Sequence, residues 1–153
     1  MILKEVNPRR RVLIDTHIWV WFSNGDSDRI SPLLQRQIEK AAVNRRLFAS
    51  VVSVWEIALK ARQGKLLVAG DLEAWVGRER ERPGVRLFPL TSPVVILATE
   101  MAWPLKGKAE HKDPADRFLV ATARKLGAVL VTCDEVILKY AESAPVLAFD
   151  ARP

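Results

Sequence analysis

The chain has 153 residues, 49% hydrophobic and 27% charged, with one cysteine and two histidines. That length and mixture suit one globular domain with its own core, and exclude a disordered chain, a fibre, a disulfide framework or an ordinary structural zinc site. The formal net charge of +6 and isoelectric point near 9.8 tilt towards a polyanionic partner, although the surplus is shared between both halves of the chain and forms no basic tail.

No apolar run approaches the length of a membrane span, and Lys4 and Arg9 to Arg11 precede no apolar signal segment. A cytoplasmic protein without membrane attachment is expected, as a single domain over residues 1–153 with a basic N-terminal extension over about residues 1–10. In chain order, residues 12–14 read as a buried strand, and Ser31-Pro32 opens a helix with Leu34, Ile38 and Ala42 on one face. A strand over 47–50 leads to a helix opened by Ser53 and closing near Gly64. Asp71 caps a helix through Trp75, residues 78–84 form a surface connection rich in Pro, Gly and charge, and 85–90 make the third strand. Ser92-Pro93 starts the next helix. Asp113-Pro114 starts another, ending at Gly127 with Lys125 in its last turn, before strands over 128–132 and 146–149 that flank a short helix carrying Val136 and Leu138. This alternation predicts an α/β fold, a parallel sheet of about five strands flanked by helices, whose ligands sit beyond the carboxyl ends of the strands.

Five acids fall on that rim. Asp15 directly follows the first strand, Asp134 follows the fourth with one residue between, Glu56 lies about one turn into a helix, and Asp113 and Asp116 flank the first turn of another. Each has a local alternative to chemistry. Ser53 and Glu56 have capping-box spacing; Asp113 is placed to cap, with Asp116 facing the helix dipole; Asp134 is placed to cap the short helix. For Asp15 the sequence supplies neither cap nor salt partner. Caps do not explain the convergence, because gathered carboxylates repel unless protons or a cation intervene. Mg²⁺ or Mn²⁺ suits hard oxygen ligands and activates water against a phosphodiester. A glycosidase needs only two acids. A phosphotransfer domain dependent on Mg²⁺ also places acids on this rim but wants an adjacent acid pair after the first strand, where only Asp15 and then Thr16 stand.

Five blocks in sequence carry a family likeness: Val12-Leu13-Ile14-Asp15-Thr16-His17, Ser50-Val51-Val52-Ser53-Val54-Trp55-Glu56-Ile57, Gly64-Lys65-Leu66, His111-Lys112-Asp113-Pro114-Ala115-Asp116-Arg117 and Leu130-Val131-Thr132-Cys133-Asp134. Together they resemble a PIN-domain ribonuclease of the VapC toxin type, from type II toxin–antitoxin systems. The resemblance implies a PIN-like fold and a metal-dependent endoribonuclease in which Asp15, Glu56, Asp116 and Asp134 are catalytic and hold Mg²⁺ or Mn²⁺. Asp116 is preferred to Asp113 because the family's acid opens the segment Asp116 to Ala123. Thr132 corresponds to the family's hydroxyl before the last acid, placed to position water or Asp134, and Asp113 becomes a helix cap or a support to the ligands. RNA is the implied substrate, a cognate small antitoxin and a homodimer the implied partners. His111, Lys112 and Arg117, with Arg45, Arg46, Lys60 and Lys65 on a basic rim, are candidate RNA contacts; an exposed loop histidine, an Asp-paired arginine and solvated surface charge are their ordinary readings. His17 is expected to pack beside the first strand, and Cys133 to be a small buried hydrophobe. Trp19 and Trp21 cannot share one helix face, so one of them is expected at the surface. A non-catalytic module binding RNA or protein on the same fold is the main alternative.

Overall fold

A computed structural model describes residues 1, 7, 9–26, 28–68, 70–81, 83–107 and 109–153. Most of the expected basic extension, residues 2–6 and 8, and Arg82 in the expected surface connection lie outside the described residues. The elements run β1 (Arg11–Ile14), α1 (Thr16–Asn24), α2 (Pro32–Val43), β2 (Leu47–Ser50), α3 (Val51–Arg62), α4 (Leu72–Glu81), β3 (Arg86–Phe88), α5 (Ser92–Glu100), α6 (Pro114–Leu126), β4 (Ala128–Thr132), α7 (Glu135–Ala141) and β5 (Leu147–Asp150).

The strands form one parallel sheet in the order β3-β2-β1-β4-β5. Apart from Arg11, Ser50 and Thr132 at their ends, its middle strands are apolar because helices cover both faces. Alternate residues point to opposite sides: Val12, Ile14, Leu47, Ala49, Val129 and Val131 meet α1, α2 and α4, while Leu13, Phe48 and Leu130 meet α5, α6 and α7. From β1 the chain steps outward to β2 and β3, then returns to lay β4 on the other side of β1. The sheet's switch point therefore lies between β1 and β4, where a crevice opens beyond their carboxyl ends. Asp15 and Asp134 stand at that crevice.

Several element boundaries differ from the sequence expectation. The helix expected from Ser53 starts at Val51, because Ser50 ends β2 and caps α3 at once, its side chain accepting from the Val52 N–H. Ser53 is buried within the helix, so no capping box with Glu56 exists. Asp71 does cap α4 through the Ala74 N–H, yet the helix continues past Trp75 to Glu81, taking up half of the expected surface connection. β3 spans only residues 86–88, since Pro89 has no N–H to extend an edge ladder. Thr91, one residue before Ser92, caps α5.

Trp19, Trp75 and Trp103 are buried, and the rings of Trp19 and Trp75 meet at 5.0 Å between centroids. Trp21 is half-buried against the same core, under the Arg29 guanidinium. The exposed indole is Trp55, at 60%, because it lies on the outer face of α3.

Candidate active site

The acids are placed by strand ends and helix caps. Asp15 is both: it leaves β1 and caps α1, its Oδ1 accepting from the Thr16 N–H at 2.6 Å. The expectation that Asp15 lacked a cap is therefore corrected, since the first helix begins directly after the strand. Its Oδ2 accepts from Thr132 Oγ1 at 2.6 Å, and that hydroxyl in turn accepts the Asp134 N–H at 3.0 Å. Thr132 thus ties the acid after β1 to the acid after β4. Asp134 caps α7 through Oδ1, which takes the Val136 and Ile137 N–H groups.

A second group reaches the crevice from α1 and α3. Thr16 Oγ1 donates to Glu56 Oε1 at 2.7 Å and lies 2.9 Å from Ser53 Oγ. Thr16 and Ser53, buried hydroxyls on two helices, therefore hold Glu56 in place. Nothing in the sequence marked this role for either residue, because the contacts join positions 37 and 40 residues apart.

The third group belongs to α6 and the loop before it. Asp113 caps the helix through the Ala115 and Asp116 N–H groups. Asp116 stands one turn inside and its Oδ2 hydrogen-bonds His111 Nε2 at 2.7 Å. His111 is partly buried, its ring 4.6 Å from that of Trp103. The reading of His111 as an exposed loop side chain is corrected: it orients Asp116. The reading of Arg117 as an Asp-paired arginine is corrected too. Its guanidinium donates to the carbonyls of Ala98 (2.7 Å), His111 (2.8 Å), Thr99 (3.5 Å) and Met101. It clamps the end of α5 to the loop carrying His111 and has few donors left for a phosphate. Lys112 is exposed beside it.

The electrostatics show that these groups share one field. Burial pushes the Asp15 carboxyl up, and the Asp134 charge adds to it. Burial raises Glu56 as well, with Asp15 and Asp113 contributing. Asp116 is pushed up to about 6, first by desolvation and then by the charges of Asp113, Asp134 and Asp15. Neighbouring anions that disfavour one another's charged forms are the signature of a site that wants a cation. Oε2 of Glu56, Oδ1 of Asp116 and Oδ2 of Asp134 have no protein partner among the described residues. Hard oxygen donors of this kind fit Mg²⁺ or Mn²⁺ rather than a thiophilic metal. Among the described residues no three His, Cys, Asp or Glu side chains are grouped closely enough to hold a metal ion as they stand.

Other expected features sit differently. His17 is exposed on α1 rather than packed beside β1; Lys60 Nζ donates to its Nε2 at 3.2 Å, and burial of its ring edge together with Lys60 keeps its pKa low. Cys133 is half-buried against the core, its thiol pKa raised by burial and by Asp15 and Asp134. Arg45 and Arg46 stand before β2, at the end of the sheet away from the acids.

Residues 12–143 match the PIN domain. The chain belongs to the PIN-domain family. Ribonuclease VapC22 of Mycobacterium tuberculosis (strain ATCC 25618 / H37Rv) is 30% identical over 135 residues, covering 88% of this chain and 95% of that protein. Among solved structures, VapBC2 from Rickettsia felis bound to a DNA fragment from its promoter superposes with a TM-score of 0.61 at 17% identity, covering 93% of this chain and 98% of that one. DNA-bound VapBC from Salmonella typhimurium gives a TM-score of 0.62 at 17% identity, covering 92% and 97%. These two share the PIN fold with this chain.

Asp113 and Asp116 are separable by experiment. Asn caps a helix about as well as Asp, so Asp113→Asn is expected to keep most RNA cleavage and nearly all stability. Asp113→Ala removes the acceptor of two N–H groups and should cost roughly 0.5–2 kcal/mol, read from urea unfolding. Loss of cleavage in Asp113→Asn with retention in Asp116→Asn would reverse the assignment.

Proposed function

We propose that this chain is a metal-dependent endoribonuclease, the VapC-type toxin of a toxin–antitoxin pair, folded as a single PIN-like domain over residues 1–153. The observation that carries this reading is the joining of Asp15, Glu56, Asp116 and Asp134 in one field at the crevice between β1 and β4, in a PIN-domain chain related to a VapC ribonuclease. Asp15, Glu56, Asp116 and Asp134 would hold a divalent cation, Mg²⁺ or Mn²⁺, which would supply water activation and charge compensation at the scissile phosphate. Thr132 and Thr16 fix the directions of Asp15 and Glu56, and His111 fixes Asp116. Asp113 sets the first turn of α6, from which Asp116 projects.

The phosphotransfer alternative wants a second acid beside Asp15, and Thr16 stands there, its side chain committed to Glu56 and Ser53. A non-catalytic module has no need to keep Asp15, Glu56 and Asp116 raised beside one another. The VapBC complexes among the solved neighbours support an antitoxin partner. The exposed apolar side chains of Val51, Trp55, Leu59 and Ile96 on α3 and α5 support a homodimer. No helix of the described residues is long and apolar enough to cross a membrane.

The purified chain is expected to cleave single-stranded RNA with Mg²⁺ or Mn²⁺ and to stop in EDTA. Its expression is expected to arrest growth until the small product of a neighbouring reading frame is supplied, and that product should co-purify with it. Metal-independent cleavage that survives repurification would overturn the metal reading; free expression without growth arrest would overturn the toxin reading.

A further inference from the structure

Much of the chain's positive surplus is gathered at the end of the sheet opposite the acids. Arg9, Arg11, Arg45, Arg46 and Arg86 line one open groove of about 650 Å³ together with Phe48 and Phe88. The arginines come from distant segments, and parallel register brings them together: Val12 pairs with Leu47, and Phe48 with Arg86. Read along the sequence they look scattered; in the fold they surround one space.

Among the described residues, no carboxylate lies within ion-pairing distance of Arg9, Arg11, Arg45 or Arg86. Two of these are held without being neutralised. Arg11 Nη1 donates to the Leu126 carbonyl at 3.0 Å. Arg86 Nη1 donates to the Arg45 carbonyl at 3.3 Å while its guanidinium lies 5.1 Å from the centre of the Phe48 ring. Each bond uses one of a guanidinium's five N–H donors and a neutral acceptor, so both charge and donors remain for an anion. Arg45 itself has φ 56°, a left-handed conformation after α2 that favours glycine. An arginine nonetheless stands there.

We propose that this groove binds the phosphate backbone of the RNA whose scissile bond lies at the acids, gripping it at a distance from the cut; the proposal rests on the ribonuclease reading above. The acidic rim repels phosphates on its own, and Arg117, the obvious cation beside it, is committed to backbone carbonyls. Lys60 and Lys112 remain as cations near the acids, so a long polyanion gains further attraction from a cluster of arginines elsewhere on the domain. Planar guanidinium forks match phosphate oxygens two at a time. A protein partner would want buried apolar anchors at the centre of its interface; here Phe48 is 7% exposed, with Arg86 over its ring. Arg11 opens β1 and Asp15 directly follows it, four residues on, about 13 Å at roughly 3.3 Å per residue. An RNA of many nucleotides reaches both ends of the sheet, and one of a few nucleotides reaches only the acids.

The test is the double variant Arg45→Gly with Arg86→Gln, since glycine suits the backbone at position 45 and the fold is kept. In an Asp116→Asn background, where the RNA stays intact, a fluorescent single-stranded RNA of about 20 nucleotides should bind at least tenfold more weakly to the double variant. The slope of log affinity against log salt should become shallower by about 1.4, at roughly 0.7 per single-strand phosphate contact. With Asp116 restored, the double variant should cleave an RNA of about four nucleotides within twofold of the parent rate. Unchanged affinity and salt slope for the long RNA would overturn the proposal, as would an equal loss on the short one. Polyglutamate that displaces the long RNA as well as unlabelled RNA does would make the groove a site for acidic protein instead. Should the parent chain bind the long RNA through these arginines but cleave no RNA, the ribonuclease reading falls and the groove stands.

Discussion

Asp116→Asn is expected to reduce RNA cleavage by at least about 100-fold while leaving the fold intact. The magnitude follows from what lesser changes do: losing a group that merely orients a metal ligand costs roughly 10–100-fold in activity or metal affinity, so losing a ligand's charge should cost more. The fold is spared because Asn has the same shape, can still hydrogen-bond His111, and stands at a position where Asp113, not Asp116, caps the helix. His111→Ala provides the comparison. It frees Asp116 to rotate without removing a negative charge, so its loss should fall within that lower range and be partly recovered at higher Mg²⁺ or Mn²⁺. Cleavage rates across a metal titration, with circular dichroism of each variant, decide the matter. Near-parental cleavage by Asp116→Asn would remove this residue from the catalytic set.

What could be read from the sequence, and what could not, divides by the range of the interactions. Asp15 and Asp134 were legible because a residue just past a buried parallel strand lands on the crevice rim whatever the helices do. Asp113 was legible as a cap because Asp-Pro at a helix start is a local signal. The start of α3 was misread for the same local reason: Ser50 and Ser53 are both good caps, and Ser53 carries the spacing to Glu56 that imitates a capping box. Burial decided between them, since Ser50 closes β2 with no connecting loop. The holding of Glu56 by Thr16, and of the His111 loop by Arg117, left no local mark, because each joins separate elements. The basic groove was hidden most completely. Arg9, Arg11, Arg45, Arg46 and Arg86 look like ordinary surface charge until the register of β1, β2 and β3 is known.

The second large effect concerns the stability of the metal-free protein. The folded-state pKa of Asp116 is raised from 3.8 to about 6, and those of Asp15 and Glu56 are raised as well. A raised carboxyl pKa means that the native state holds a proton the unfolded chain has released. Protonation therefore favours folding, and this contribution is complete below the ordinary carboxyl range and lost as pH rises through the native value. Without metal, the melting temperature should thus be higher at pH 5.5 than at pH 7.5, a dependence that Asp116→Asn flattens. Mg²⁺ or Mn²⁺ should restore stability at pH 7.5, because the cation offsets the same burial of charge and mutual repulsion that protons offset at pH 5.5. At a metal concentration about 100 times the dissociation constant the gain is roughly 2.7 kcal/mol, which for a chain of this size raises the melting temperature by about 5–10 °C. Asp15→Asn sharpens the argument, since Asp15 is buried and accepts from both Thr16 and Thr132. Its amide oxygen can keep the Thr16 cap while its amide nitrogen donates to Thr132 Oγ1, whose proton turns away. The metal-free variant should therefore be at least as stable as the parent at pH 7.5, and should lose most of the shift produced by metal. A charge that served only the fold would behave in the opposite way. If Asp15→Asn and Asp116→Asn each lost more than about 2 kcal/mol without metal, in the direction expected for breaking buried charge pairs, these carboxylates would be structural and the cation site would have to be sought elsewhere.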